Sequence, residues 1–427
     1  MKKKNPFLNL KNTSTFCYQP FHHINYSVDG ISRPCPRGQP TGHISNKENG
    51  WNSSSWKNLR KDILNGVENS ICSDCKALEN SGATSYRQMS FKRQWSTNAF
   101  ESYEPETGEM KTPPTEVELR FSNECNFRCK MCSPAYSSRW ESFLRKRPEI
   151  HKKLDNYYEF NKESFDSSTQ LSYNEALINS LEKWAPHLRS VLIAGGEPLI
   201  QKEHLLSLEK MKSNANNISL FYNTNLSTLS YKNHSFIPLW ENFKSIILKV
   251  SIDGDPEIYS FVRKFSDTKK LENNIYTVQN ELTNLEKIIG TFTASAFNIL
   301  RIIEAVKYFT KLGLNFHTSQ VQYPEIASTQ VLPPQEKMAL TKKVNGFLSN
   351  LEVNMEPHFK EHFYWEDPDK REYQLKSIKE HLLSTLNFMN FKDKSSYFKE
   401  FIEHDKLISQ SSDKTLLDYY PKWKDYL

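Results

Sequence analysis

Six short apolar runs, separated by longer amphipathic stretches, leave this 427-residue chain few folds to choose from. The runs are Glu116–Phe121, Ser190–Ala194, Ile218–Tyr222, Ile246–Ile252, Ile288–Ala294 and Leu314–Gln320, each the length of a strand. Between them, helical spacing is clearest over Lys202–Lys212 and Ile299–Leu312. Strands alternating with helices predict a parallel sheet, because a parallel neighbour is reached only through a long crossover. The stretch from Cys132 to Ser190 is longer than a crossover needs and predicts an insertion near Pro148–Gln170.

Composition changes along the chain suggest the organisation. Residues 1–90 are rich in Gly, Pro, Asn and Ser; residues 91–114 form a connector ending in Lys111-Thr-Pro-Pro114; residues 115–330 carry the alternation; residues 331–427 are helical and charged. A hydrophobic content of 37% suffices for packed cores, and no apolar run reaches membrane-spanning length. The start, M-K-K-K-N-P-F-L-N-L, is basic but has no apolar stretch behind it, so no signal peptide is expected. The net charge of +6 is scattered among mixed charges, which argues against a nucleic-acid or membrane partner.

The chemistry concentrates after the strands. The first runs into V-E-L-R-F-S-N-E-C-N-F-R-C-K-M-C-S-P, placing Cys125, Cys129 and Cys132 as C-x3-C-x2-C. Three thiolates on one loop hold three irons of a 4Fe–4S cube and leave the fourth open, which suits chemistry. A structural zinc loop is the other reading, and it needs a fourth ligand nearby. The remaining cysteines are Cys17, Cys35, Cys72 and Cys75. Seven is an odd number, which argues against a disulfide framework and for metal ligation in a reducing, cytoplasmic setting. Four cysteines in two pairs close a zinc site or fully ligate a second cluster, and spacing alone does not separate these.

After the second strand comes Ala194-Gly195-Gly196-Glu197-Pro198, where two glycines permit close backbone approach. After the third come Asn223, Thr224 and Asn225, either ligand-binding polar groups or a capped turn. After the fourth comes Val250-Ser251-Ile252-Asp253-Gly254, with Arg263 ten residues beyond Asp253. Strand alternation puts Ser251 and Asp253 on one face, and a buried carboxylate there needs a partner such as Arg263. His317, Ser319 and Gln320 on the sixth strand are placed to face a ligand.

The spacing of Cys125, Cys129 and Cys132, with Gly195-Gly196-Glu197 and Ser251–Gly254 in register behind it, resembles the radical S-adenosylmethionine enzymes. The resemblance implies a partial (β/α)6 barrel of the TIM type. It implies that S-adenosyl-L-methionine chelates the open iron of a 4Fe–4S cluster. Reductive cleavage then gives a 5′-deoxyadenosyl radical that abstracts a hydrogen atom from the substrate. Gly195, Gly196 and Glu197 match the motif that holds the cofactor's amino group; Asn223, Thr224, Asn225, Ser251, Asp253 and Arg263 complete the cofactor-binding set.

Cys17-x12-Gly30-x4-Cys35 resembles the opening of the auxiliary-cluster modules called SPASM or, in short form, twitch, here placed before the barrel. That implies a second iron–sulfur cluster, of the 4Fe–4S type, on Cys17, Cys35, Cys72 and Cys75. The implied activity is an oxidoreductase-like one that oxidises, cross-links or epimerises a peptide or protein, with a flavodoxin or ferredoxin as electron donor. Small sugars, alcohols or nucleosides are the alternative substrates, and a zinc-stabilised binding protein without catalysis is the alternative of another class. Aromatic residues after Leu332, among them Trp365, Phe398 and Phe401, suit helices that cover the open side of the barrel. No residue is assigned as catalytic base or hydrogen donor.

Overall fold

The computed structural model describes residues 15–45, 50–80, 85–90, 101–154, 157, 167–409 and 414–427, with the side chains of residues 78 and 167–171 excepted. The first ten residues of the expected connector and residues 155, 156 and 158–166 of the expected insertion lie outside the described residues. Nine strands carry the architecture: β1 His23–Tyr26, β2 Ile31–Arg33, β3 Gly42–His43, β4 Glu116–Arg120, β5 Ser190–Ala194, β6 Ser219–Thr224, β7 Ser245–Ser251, β8 Leu285–Ala294 and β9 Asn315–Gln320. The last six lie within three residues of the runs expected from sequence. The helices Lys202–Met211 and Ile302–Lys311 fall where helical spacing predicts them.

The chain forms two compact units, one of residues 1–122, 161–221 and 238–245, the other of residues 123–160, 222–237 and 246–427. The first holds a mixed sheet. β1 pairs antiparallel with β2, and β2 antiparallel with β3, while β1 runs parallel to β4 and β4 parallel to β5. The N-terminal region is therefore more than loops, since it adds three strands to this sheet. Its anchor is Arg60, fully buried on the N-capped helix Ser54–Leu64. The guanidinium lies 4.4 Å from the Trp51 ring centre and donates to the carbonyls of Pro20 (2.8 Å) and Trp51 (2.9 Å). A buried cation is tolerated only when its donors are satisfied in this way.

In the second unit β7, β8 and β9 run parallel. Gly290 of β8 lets Phe309 pack flat against the strand, since a Cβ there would stand 2.4 Å from the ring. The C-terminal region is helical, as expected. Its longest helix, Pro368–Phe391, runs along the edge of β9. There the Gln374 side chain accepts from the Phe316 N–H (2.9 Å) and donates to the Leu314 carbonyl (3.1 Å), and Ser377 donates to the Phe316 carbonyl (2.7 Å). A covered edge is what keeps such a strand from pairing with another chain. Trp365, Phe398 and Phe401 are buried in this unit's core, while Tyr373 and Phe391 are exposed. Among the described residues, no helix is long and apolar enough to cross a membrane.

Candidate active site

The loop that follows β4 is fastened at several points. Ser137, the N-cap of helix Ser138–Arg145, donates its hydroxyl to the Phe127 carbonyl (2.7 Å). The Cys125 N–H donates to the Ser138 hydroxyl (3.2 Å), and the Trp140 indole N–H donates to the Cys129 carbonyl (2.7 Å). Arg128–Cys129 then pairs antiparallel with Arg263–Lys264, with Cys129 opposite Arg263. This two-residue ladder brings the expected ligand loop and the segment after β7 together.

Behind Cys129 lies an ion pair. Arg263 Nη2 stands 2.6 Å from Asp253 Oδ2, with Asp253 wholly buried. Arg263 Nη1 lies 3.6 Å from Cys129 Sγ. Burial works against the guanidinium's charge, but Asp253, then Cys129 and Tyr259, outweigh it, so the proton is held more firmly than usual. The Cys129 thiol is pushed up by burial, against the pull of Arg263.

Asp253 does not share a face with Ser251 through strand alternation. β7 ends at Ser251, and Asp253 adopts a left-handed conformation with φ of 64°. Asp tolerates this conformation better than most residues. The turn aims Oδ1 at the Thr293 N–H (2.6 Å), and Asn298 Nδ2 donates to the Asp253 carbonyl (3.0 Å). Arg263 therefore serves as the expected partner of the buried carboxylate, though by another backbone route.

The residues after β6 also join the loop. Asn225 Nδ2 donates to Asn126 Oδ1 (2.9 Å), and Asn126 Nδ2 donates to the Ser227 hydroxyl (2.8 Å). The Thr224 hydroxyl accepts from the Leu226 N–H (2.9 Å) and the Asn225 carbonyl oxygen of the side chain from the Ser227 N–H (2.9 Å), closing the capped turn that was one of the two readings. Asn223 is exposed. Asn126 and Asn298 were not singled out from sequence; only the position of Asn126 beside Cys125 hinted at a role.

Across β7, β8 and β9 a polar row stands in register, Ser251 opposite Thr291 and Thr291 opposite His317. Ser319 donates to the Thr293 hydroxyl at 3.5 Å. Burial, and then the neighbouring His381, push the His317 imidazole down to about 3, so it is neutral. Gln320 turns away from a ligand role and donates to the Thr385 hydroxyl (2.8 Å).

Gly195, Gly196 and Glu197 belong to the first unit. Gly195 has φ of +125°, and a Cβ there would stand 3.1 Å from the Ser122 carbonyl oxygen. The Gly196 N–H donates to that same carbonyl (3.1 Å). Glu197 is buried and accepts from the Leu199 N–H (3.1 Å), capping the turn Pro198–Ile200.

Cys17, Cys35, Cys72 and Cys75 line one small cavity of the first unit. Burial first, and then in part each other's proximity, push the thiols of Cys17, Cys35 and Cys72 up to about 12. Burial likewise takes Cys132 to about 12.

The expected cofactors are corrected by this arrangement. Among the described residues no group of three or more His, Cys, Asp or Glu side chains is placed to hold a metal ion. None of the seven cysteines is in a disulfide. In the β4 loop they turn to different partners: Cys125 Sγ accepts from the Phe127 N–H (3.5 Å), Cys129 Sγ faces Arg263, and Cys132 Sγ donates to the Ser133 carbonyl (3.7 Å). Metal binding needs ligand side chains that converge on one point. Neither the 4Fe–4S cluster on Cys125, Cys129 and Cys132 nor the auxiliary cluster on Cys17, Cys35, Cys72 and Cys75 fits. The same finding removes the open iron that S-adenosyl-L-methionine was expected to chelate.

No family model matches the sequence, and no curated protein matches it. Solved structures of Streptococcus suis SuiB do align with it. SuiB bound to the precursor peptide SuiA gives a TM-score of 0.35 at 13% identity, covering 66% of this chain and 60% of that one. SuiB bound to S-adenosylmethionine gives 0.34 at 16%, covering 69% and 64%. A third SuiB structure gives 0.34 at 15%, covering 77% and 68%. The chain thus spans less than two thirds of the first two SuiB chains.

Proposed function

We propose that this chain is an enzyme with a catalytic role of the radical S-adenosylmethionine type, and that its substrate is a peptide or protein. One observation carries the reading: Arg263 joins the buried Asp253 of the Ser251–Gly254 segment to Cys129 of the three-cysteine loop. Two motifs 121 residues apart, measured from Cys132 to Asp253, are thereby locked together at the ends of parallel strands. Ligands of parallel α/β sheets bind at such strand ends.

The chain's own residues supply binding and orientation. Asp253 holds Arg263, and Arg263 holds the Cys129 turn. Ser251, Thr291 and the neutral His317 form a hydrogen-bonding row whose charge does not change near neutral pH. Such a row suits the alternating donors and acceptors of a peptide backbone. No metal-dependent step is assigned to the thiols as they are arranged.

The test is product formation by the full chain. Incubated anaerobically with a reductant, S-adenosylmethionine and a pool of peptides, the protein should convert at least one peptide to a species of altered mass or retention, read by mass spectrometry. Absence of any modified peptide above a protein-free control would overturn the reading. Conversion of sugars or nucleosides but not of peptides would overturn the substrate.

A further inference from the structure

The Arg128–Cys129 ladder has a second face. Neighbouring residues of an extended segment point to opposite sides. Cys129 points toward Arg263 and Asp253, whereas Arg128 and Lys130 point the other way, into a pocket of about 400 Å³ in the second unit. Its volume falls in the range of small-molecule sites, about 300–1,000 Å³.

The pocket is basic. Arg128, Lys130, Lys264 and Lys414 line it, against the single carboxylate of Glu257. Glu257 itself pairs with Arg301 at 2.8 Å. The two deepest cations are fixed in place. Lys130 Nζ lies 2.6 Å from Asp405 Oδ1 and donates to the Ser409 hydroxyl (2.9 Å). Arg128 donates to the Ile408 carbonyl (3.1 Å), and its guanidinium lies 3.8 Å from the Phe143 ring centre. Lys264 and Lys414 stand nearer the rim, and Lys414 is exposed. One wall is aromatic, with Phe261 and Tyr419 rings 4.5 Å apart and Trp140 beside them.

Fixed cations together with ring faces define a ligand chemistry. Cations recognise phosphate, and aromatic faces stack on a flat heterocycle. We propose that this pocket binds an organic phosphate of mononucleotide size. The phosphate lies among Lys264, Lys414 and Lys130, and the base lies against Phe261 and Tyr419. The pocket faces away from Cys129 and Asp253, so it is separate from the site of the proposed reaction.

Calorimetric titration of the full chain at low ionic strength tests the proposal, using adenosine and guanosine monophosphates, inorganic phosphate and adenosine as probes. At least one monophosphate should bind at least tenfold more tightly than inorganic phosphate or adenosine, and the affinity should fall as salt rises. The double variant Lys264→Ala/Lys414→Ala should lose at least tenfold in affinity while its unfolding midpoint stays that of the parent. Failure of both monophosphates to bind at millimolar concentration overturns the proposal. So does equal binding of inorganic phosphate, or undiminished nucleotide binding by the double variant.

Discussion

Arg263 and Asp253 form a buried ion pair, 2.6 Å apart, whose guanidinium also backs the Cys129 thiol. Removing one partner of such a pair leaves an uncompensated charge, at a cost of about 3–5 kcal/mol. Arg263→Met should therefore lose stability of that order in urea unfolding. Adding Asp253→Asn should recover much of it, because the amide oxygen still accepts from the Thr293 N–H. A single variant as stable as the parent would show that the pair does not hold the turn.

Stability should fall between pH 6.5 and 4. Burial takes His204 to about 3, and burial together with Lys130 takes His404 to about 3. Both are neutral in the fold, while the unfolded chain takes up their protons below a pKa of about 6.5. Their contribution is complete above that pH and is lost as pH falls toward the folded values. Each histidine adds up to about 1.4 kcal/mol per pH unit to the slope. Unfolding free energies at pH 7, 6 and 5 should show it, and His404→Phe should flatten it by roughly one such increment.

Thiol alkylation gives an independent measure of the cysteine environments. Cys17, Cys35, Cys72 and Cys132 are pushed up to about 12 by burial. At pH 8 their thiolate fraction should be on the order of 100-fold or more below that of the unfolded chain. Iodoacetamide should modify these residues slowly in the native protein and completely in guanidinium, as read by peptide mass. Rapid native modification of Cys17 or Cys35 would contradict their buried placement.

Two glycines should respond in opposite directions. Gly195→Ala adds a side chain at φ of +125° and 3.1 Å from the Ser122 carbonyl oxygen, so it should destabilise by about 1–3 kcal/mol. Gly346 lies in the helix Pro334–Leu348 with open space around a Cβ, so Gly346→Ala should stabilise by up to about 1 kcal/mol. Thermal midpoints of the two variants, compared with the parent, check both.

The strands were legible in the sequence where burial imposes long apolar runs, as at Ser190–Ala194, which was placed without error. β1, with the sequence HINY, and β2, with ISR, were not legible. They are three or four residues long, and a single turn of sequence that short carries no period. At the site, the sequence makes Arg263 a partner for Asp253, but the strand whose alternation would place Asp253 has already ended at Ser251. The Asp253-Gly254 pair was the signal for a turn. Spacing fixes only which sulfurs can meet, and here Cys125, Cys129 and Cys132 each take a different hydrogen-bond partner. The basic pocket was invisible because Arg128, Lys264 and Lys414 are distant along the chain.

Gln374 gives the parallel strands of the second unit a definite end. Its carboxamide offers one acceptor and one donor to the backbone of β9, the two groups a further strand would bring. One side chain thus imitates a peptide bond and occupies its place. Another polypeptide is denied that docking mode at this edge, in which main-chain pairing supplies affinity whatever the sequence. The edge of β9 therefore offers a neighbour side chains in place of backbone.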